Sequence, residues 1–353
     1  MKKLISIMLC LVIAASMLAG CGGNKDAADT KPAAETTAET ASTAVTPKIF
    51  KVSHSFLPDQ PTHIVLTEAA ENIKERTNGE IILEVYPNYE IACGPDAFEQ
   101  IVRDSYFISV FAASGMADYV PDCYVYDTPF AYNDTVEYAA MAQTDFAKEI
   151  IAEAEEKNMK ILALDWAYGA RCFGTTDKPI YSAEDIKGLK IRIPSNQVLT
   201  TMLNALGAAP IPMPWSDVYS GLETGVVDGL EASLGDYVDN QFWEVIKYIT
   251  IDNHVIGNEA VVMSAKVFNE ELTPEQQKIF EEEFAAAGVK YREMYAAAEE
   301  QAKKTLEEHG VQIIEPDMES FRELVVPAMK GSLPGVSDGI YDRMEAALET
   351  IRK

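Results

Sequence analysis

Histidine and cysteine are scarce in this chain, and neither falls at the spacing that holds a metal. The four histidines (His54, His63, His254, His309) are scattered and the five cysteines form no CxxC pair, so no zinc-ligand pattern is present. HExxH, GxSxG, a phosphate-binding P-loop, a calcium loop and a nucleotide-binding GxGxxG are also missing. Without these the sequence offers no grounds for catalysis or a cofactor, and binding becomes the leading class. Positive charge is short as well: 29 Lys and Arg face 56 Asp and Glu, for a net charge of −27. Such a surface repels phosphate backbones and anionic lipid, which argues against nucleic-acid or membrane-surface partners.

Long hydrophobic runs are confined to the start. Leu4–Met17, behind Lys2 and Lys3, is short for a bilayer span and reads as an export signal over residues 1–20. Leu18-Ala19-Gly20-Cys21 resembles the bacterial lipoprotein processing site, which implies acylation of Cys21 and an extracytoplasmic protein held to the membrane by lipid alone. Residues 21–47 are almost wholly Ala, Thr, Glu, Asp, Lys and Gly, a polar leash. Once Lys2 and Lys3 leave with the signal, the charge stands at −29, and 306 residues remain beyond the leash for two lobes. Cys10 leaves too. Cys93, Cys123 and Cys172 allow one disulfide with one thiol, or three buried thiols.

From Lys48 the chain alternates short strands and helices. Strands are expected at Lys48–Ser53, Glu80–Tyr86 and Phe107–Ala112, with helices at Thr62–Thr77 and around Pro95–Asp104. That order implies a doubly wound α/β lobe. A long helix over Thr135–Asn158, strands at Lys160–Trp166, Lys190–Ile193 and Val226–Glu231, and a helix over Asn196–Leu206 predict a second α/β lobe. A short helix capped by Ser216 and ended by Gly225 belongs to it. Thr273-Pro274-Glu275-Gln276 reads as a capping box opening a helix of about 36 residues, roughly 54 Å long, which would run across both lobes. Its stripe is Ile279, Phe280, Phe284, Tyr291, Tyr295, Ala298, Ala302 and Leu306, with Gly288 as a possible bend. The lobes are expected at 48–165 with part of 250–310, and at 166–250 with C-terminal elements.

Two arginines draw attention. Arg171 lies among small residues in Tyr168-Gly169-Ala170-Arg171-Cys172-Phe173-Gly174, and alternation sets Arg192 and Lys190 opposite Leu189, Ile191 and Ile193. A guanidinium grips a carboxylate with two parallel hydrogen bonds, yet an exposed or Asp-paired strand arginine gives the same pattern. Trp215, after Pro210-Ile211-Pro212-Met213-Pro214, is either a stacking wall or interlobe packing. Ser53 and His54 end the first strand, where open α/β sheets receive ligands.

Ile186-Lys187-Gly188-Leu189-Lys190-Ile191-Arg192-Ile193-Pro194, Leu206 to Tyr219, Leu222 to Gly229 and Trp243 to Tyr248 together closely resemble the DctP-type solute-binding proteins of TRAP transporters. The resemblance runs from about Lys48 and is densest over 160–256. It implies a two-lobed, periplasmic-binding-protein-like α/β fold, a monomer and not an enzyme, that closes around a small organic acid and delivers it to small and large membrane subunits. A sensor docking to a receptor is the alternative, and a carboxylate-processing enzyme a more remote one. It further implies that Arg192 pairs with the ligand carboxylate, that Arg171 is the upstream arginine and that Trp215 is the aromatic wall; Ser114 joins the candidate contacts. Where many members carry Asn, this chain has Ala232, so Ser233 becomes the candidate second donor. Gly94 and Ala112 fall near polar positions of some sialic-acid binders, which favours a smaller or more apolar acid. Asp236 would meet an amine on an amino-acid-like ligand.

Overall fold

The computed structural model describes residues 46–353; the signal, Cys21 and nearly all of the leash lie outside them. The first strands and helices form where expected. Strand β1 (Lys48–Ser53) leads to helix α1 (Pro61–Arg76), which has proline in its first turn and basic Lys74 and Arg76 in its last. Left-handed Asn78 and Gly79, at φ 51° and 78°, then turn the chain into β2 (Ile81–Tyr86). Helix α2 (Pro95–Val102) and β3 (Phe107–Phe111) follow, and β1 pairs in parallel with both β2 and β3. Phe50, Val52, Leu66, Ile73 and Ile81 are buried between sheet and helix.

The middle departs from expectation in three ways. The single helix over Thr135–Asn158 is two, α3 (Thr135–Met141) and α4 (Asp145–Glu156). Thr144 causes the break: its hydroxyl caps the new helix by accepting from Ala147 N and bonds back to the Met141 carbonyl at 2.7 Å. Strand β4 is 17 residues (Met159–Thr175), so it runs well past the expected Lys160–Trp166 and takes in the glycine-rich stretch around Arg171, accommodated by register shifts beside Gly169. After β5 (Lys190–Ile193), α5 (Gln197–Ala205) and β6 (Ala209–Pro212), a 3-10 turn at Trp215–Asp217 precedes α6 (Val218–Glu223). Ser216 sits inside that turn and does not cap the helix.

Strand β7 begins late, at Gly229 (Gly229–Ser233), because Asp228 is held in the preceding turn by accepting from Lys190 N at 2.8 Å. Helix α7 (Leu234–Asp239) follows directly, and β8 (Tyr248–Ser264) is a second 17-residue strand that no pattern announced. Helix α8 (Pro274–Glu308) has the expected capping box between Thr273 and Gln276. At 35 residues it is about 52 Å long. Its first part packs with Phe50 and Val65, while Ala302 and Leu306 pack with Leu230 and Tyr237, so it serves both lobes. Of the anticipated stripe only Ala298 is exposed. Gly288 serves close approach: a Cβ there would lie 2.5 Å from the Trp166 indole nitrogen. Strand β9 (Gln312–Ile314) joins β8, and α9 (Met318–Met329) and α10 (Ile340–Ile351) end the chain.

The sheet order is β2-β1-β3-β8-β4-β7-β5-β6. One α/β lobe lies at each end, and antiparallel β4 and β8 run through the middle, shared by both. Cys93, Cys123 and Cys172 are free thiols, so no disulfide forms among the described residues.

Candidate functional site

The shared strands floor a cleft. Phe56 and Phe111 line it from the first lobe, Arg192, Asn196 and Trp215 from the second, and Tyr168, Arg171 and Glu259 from the floor.

Arg192 is placed by β5, whose neighbours Ile191 and Ile193 point into the core while the arginine points out of it. It is only 3 % exposed. Its Nε and Nη2 donate to the Met213 carbonyl at 3.0 and 2.8 Å, and its guanidinium lies 5.0 Å from the Trp215 ring centre. Among the described residues no carboxylate lies within ion-pair distance of it. Burial lowers its pKa to about 10; Glu231 opposes this drop and Arg171 adds to it. The group therefore stays charged at neutral pH, desolvated and without a counter-ion. Trp215 is fixed in turn, its indole donating to Asn240 at 3.2 Å and meeting Phe242 edge-on.

Arg171 differs. Its Nε and Nη2 form a fork on Glu231 of β7 at 2.5 and 2.8 Å, and its Nη1 donates to the Tyr168 hydroxyl at 2.7 Å. The positive charge is thus committed inside the protein, although the residue still lines the cleft. Glu231 also lies 3.5 Å from His254 Nε2, and His254 Nδ1 bonds Asp252 at 2.8 Å. Burial pushes the Glu231 carboxyl up, but Arg171 and His254 outweigh it and hold the pKa at about 2. Burial likewise disfavours the imidazolium of His254, yet Asp252 and Glu231 raise it to about 9. The result is a buried ladder of alternating charge across β4, β7 and β8.

Several anticipated contacts are engaged elsewhere. Ser233 is the N-cap of α7: its hydroxyl donates to Asp236 Oδ2 at 2.8 Å and accepts from Asp236 N at 3.2 Å. That capping box occupies Ser233, which does not line the cleft, whereas Asp236 does. His54 is fully buried; its Nδ1 accepts from Phe56 N, so Nε2 carries the proton and donates to His63 at 3.1 Å. Burial, helped by His63, lowers its pKa to about 3, so it is neutral and structural. Ser53 is buried and does not line the cleft. Ser114 donates to Asp127 and accepts from Asn196 Nδ2 at 3.1 Å.

That last contact belongs to a network the sequence did not reveal. Asp127 accepts from Asn196 at 2.8 Å and from Asn258 at 2.7 Å, joining the first lobe, the N-cap of α5 and β8 at the edge of the cleft. Glu231, Glu259 and Asn258 were missed as well. The available signal was polar residues inside otherwise apolar strands, which mark buried pairs or a cavity wall.

The family profile described as bacterial extracellular solute-binding protein, family 7 (DctP), matches residues 52–333. A TRAP periplasmic solute-binding protein of Fusobacterium nucleatum, with bound sn-glycerol-3-phosphate, is 34 % identical with a TM-score of 0.83, covering 86 % of this chain and 98 % of its own. Another from Actinobacillus succinogenes, with bound L-galactonate, is 26 % identical with a TM-score of 0.80, covering 86 % of this chain and 100 % of its own. The C4-dicarboxylate-binding periplasmic protein of Rhodobacter capsulatus is 31 % identical over 63 % of this chain and 67 % of its own length. The two-lobed fold, its cleft and these matches establish that the chain belongs to the DctP family of TRAP-type solute-binding proteins.

Proposed function

We propose that the chain is the extracytoplasmic component of a TRAP-type secondary transporter that takes a small organic anion into the cleft and delivers it to small and large membrane subunits. The observation that carries this reading is Arg192, a buried guanidinium with no counter-ion among the described residues, held over Trp215. A buried charge is stabilised by a partner, and a carboxylate or phosphate head is the partner its fork fits. The ligands named for the relatives, glycerol phosphate, a sugar acid and C4-dicarboxylates, each carry such a head. Local charge thus overcomes the acidic field of the whole protein.

With Ala232 offering no donor and Ser233 occupied by its cap, Tyr168 supplies the second hydrogen bond. Its hydroxyl accepts from Arg171 and keeps its own proton for the ligand. Closure of the lobes, 48–165 with part of 250–310 against 166–250 with C-terminal elements, expels water and strengthens the Arg192 pair. Cys21, acylated after removal of residues 1–20, holds the protein at the membrane; mass spectrometry of Cys21 and its loss in Cys21→Ser test this.

The principal test is calorimetric titration of the purified chain with L-galactonate, sn-glycerol 3-phosphate and succinate. At least one should bind, and Arg192→Ala should weaken it about 100-fold or more. Unchanged affinity in a folded Arg192→Ala protein would overturn the assignment.

A further inference from the structure

The cleft also holds an acceptor that the anion site leaves unused. Glu259 on β8 lines it and is 1 % exposed. Its Oε2 accepts from Tyr291 at 2.9 Å and Thr62 at 3.3 Å, while Oε1 has no hydrogen-bond partner among the described residues. Thr62 is in turn bonded to Tyr295 at 3.0 Å, so both groups holding the carboxyl are themselves fixed in the core. Native proteins seldom leave a buried carboxyl oxygen unsatisfied, and one in the wall of a binding cavity points to a partner that arrives with the ligand.

Placement and chemistry indicate which part of the ligand this is. Glu259 and Arg192 stand on β8 and β5, with β4 and β7 between them, and the register carries them further apart: Arg192 pairs with Leu230 of β7, whereas Glu259 pairs with Trp166 midway along β4. They therefore address different ends of a bound molecule. Burial raises the Glu259 pKa to about 8, so near neutrality it is a carboxylic acid able to donate and to accept. A hydroxyl matches both capacities, whereas an ammonium calls for an ionised partner. Asp236 lines the same cavity, with Oδ2 in the α7 cap and no hydrogen bond to Oδ1 among the described residues.

We propose that Glu259 is a specificity-determining contact that receives a hydroxyl of the bound solute, so that the cleft selects hydroxylated organic anions over unsubstituted anions of the same charge. The proposal rests on Arg192 as the anion site. It also replaces the expectation of a more apolar acid, because the polar groups come from β8 and α7 rather than from the neighbourhood of Gly94 and Ala112.

The test titrates matched probes into the full chain: L-galactonate against hexanoate, and sn-glycerol 3-phosphate against n-propyl phosphate, with 6-aminohexanoate as the cationic-tail control. For at least one pair the hydroxylated member should bind about tenfold or more tightly. Glu259→Leu should bring that ratio close to one while the unsubstituted member keeps its affinity. Glu259→Gln should retain part of the preference, since a neutral amide also donates and accepts. Equal binding of both members by the wild type overturns the proposal, as does tighter binding of 6-aminohexanoate. So does a Glu259→Leu protein, folded by its melting curve, that loses both members alike. If Glu259→Leu does not fold, the wild-type ratio and Glu259→Gln decide. Silence of every probe rejects the Arg192 reading and this proposal with it, whereas binding without discrimination rejects this proposal alone.

Discussion

Arg171 and Arg192 face the same cleft from neighbouring parts of one sheet, yet their surroundings are opposite. Arg171 is met by Glu231 and continued by His254 and Asp252 into a run of alternating charge. Among the described residues Arg192 meets a carbonyl oxygen and an indole face and no carboxylate. A compensated buried cation is part of the architecture; an uncompensated one carries a desolvation cost that a ligand relieves. Exposure alone does not separate these roles, because both side chains are largely buried. The presence or absence of a counter-charge does.

The largest effect that would break this contrast is on stability. Arg171→Met strands Glu231 in the interior and should cost about 3–5 kcal/mol by urea unfolding. Replacing Glu231 by Leu in the same protein should recover most of it. Arg192→Met, by contrast, should leave ligand-free stability unchanged or higher. Equal destabilisation by the two arginine variants would erase the distinction.

Next comes pH. Glu231, lowered from 4.5 to about 2, stabilises above pH 4.5, and this is lost as pH falls toward 2. His254, raised from 6.5 to about 9, stabilises fully below pH 6.5, and this is lost as pH rises through 9. The ladder is therefore complete between about pH 4.5 and 6.5. Glu259 acts differently: from pH 4.5 to 8 the folded protein keeps a proton that the unfolded chain has released, so its contribution falls across that window. The slope is on the order of 1 kcal/mol per pH unit. Unfolding at a series of pH values should show this decline flattened in Glu259→Gln and retained in Arg192→Met. The smallest effect is at the wall of the anion site: Trp215→Ala should weaken anion binding by about 0.5–2 kcal/mol, read by calorimetry.

Much of this was legible in local pattern. The elements up to β3 follow from apolar alternation and from turn residues such as Asn78-Gly79, and α8 follows from its capping box. Arg192 was legible because strand alternation turns it away from Ile191 and Ile193. The partner of Arg171 was not, since Glu231 is 60 residues away and reaches it only because β7 lies beside β4. Strand β8 escaped notice because Asp252, His254, Asn258 and Glu259 interrupt its apolar pattern, and those are the residues facing the charge ladder and the cleft. Ser233 looked available on the sequence, but a serine three residues before an aspartate at a helix start bonds that aspartate first.

The two 17-residue strands have a consequence for how this protein can be cut or inherited. Each belongs to both halves, so a truncation at residue 165 severs one of them mid-length and strips backbone partners from the other. Neither half is a module that recombination can lift out and set down elsewhere. The gene is indivisible at the point where the anatomy looks most divisible, and limited proteolysis of the native protein should yield no stable half-molecule.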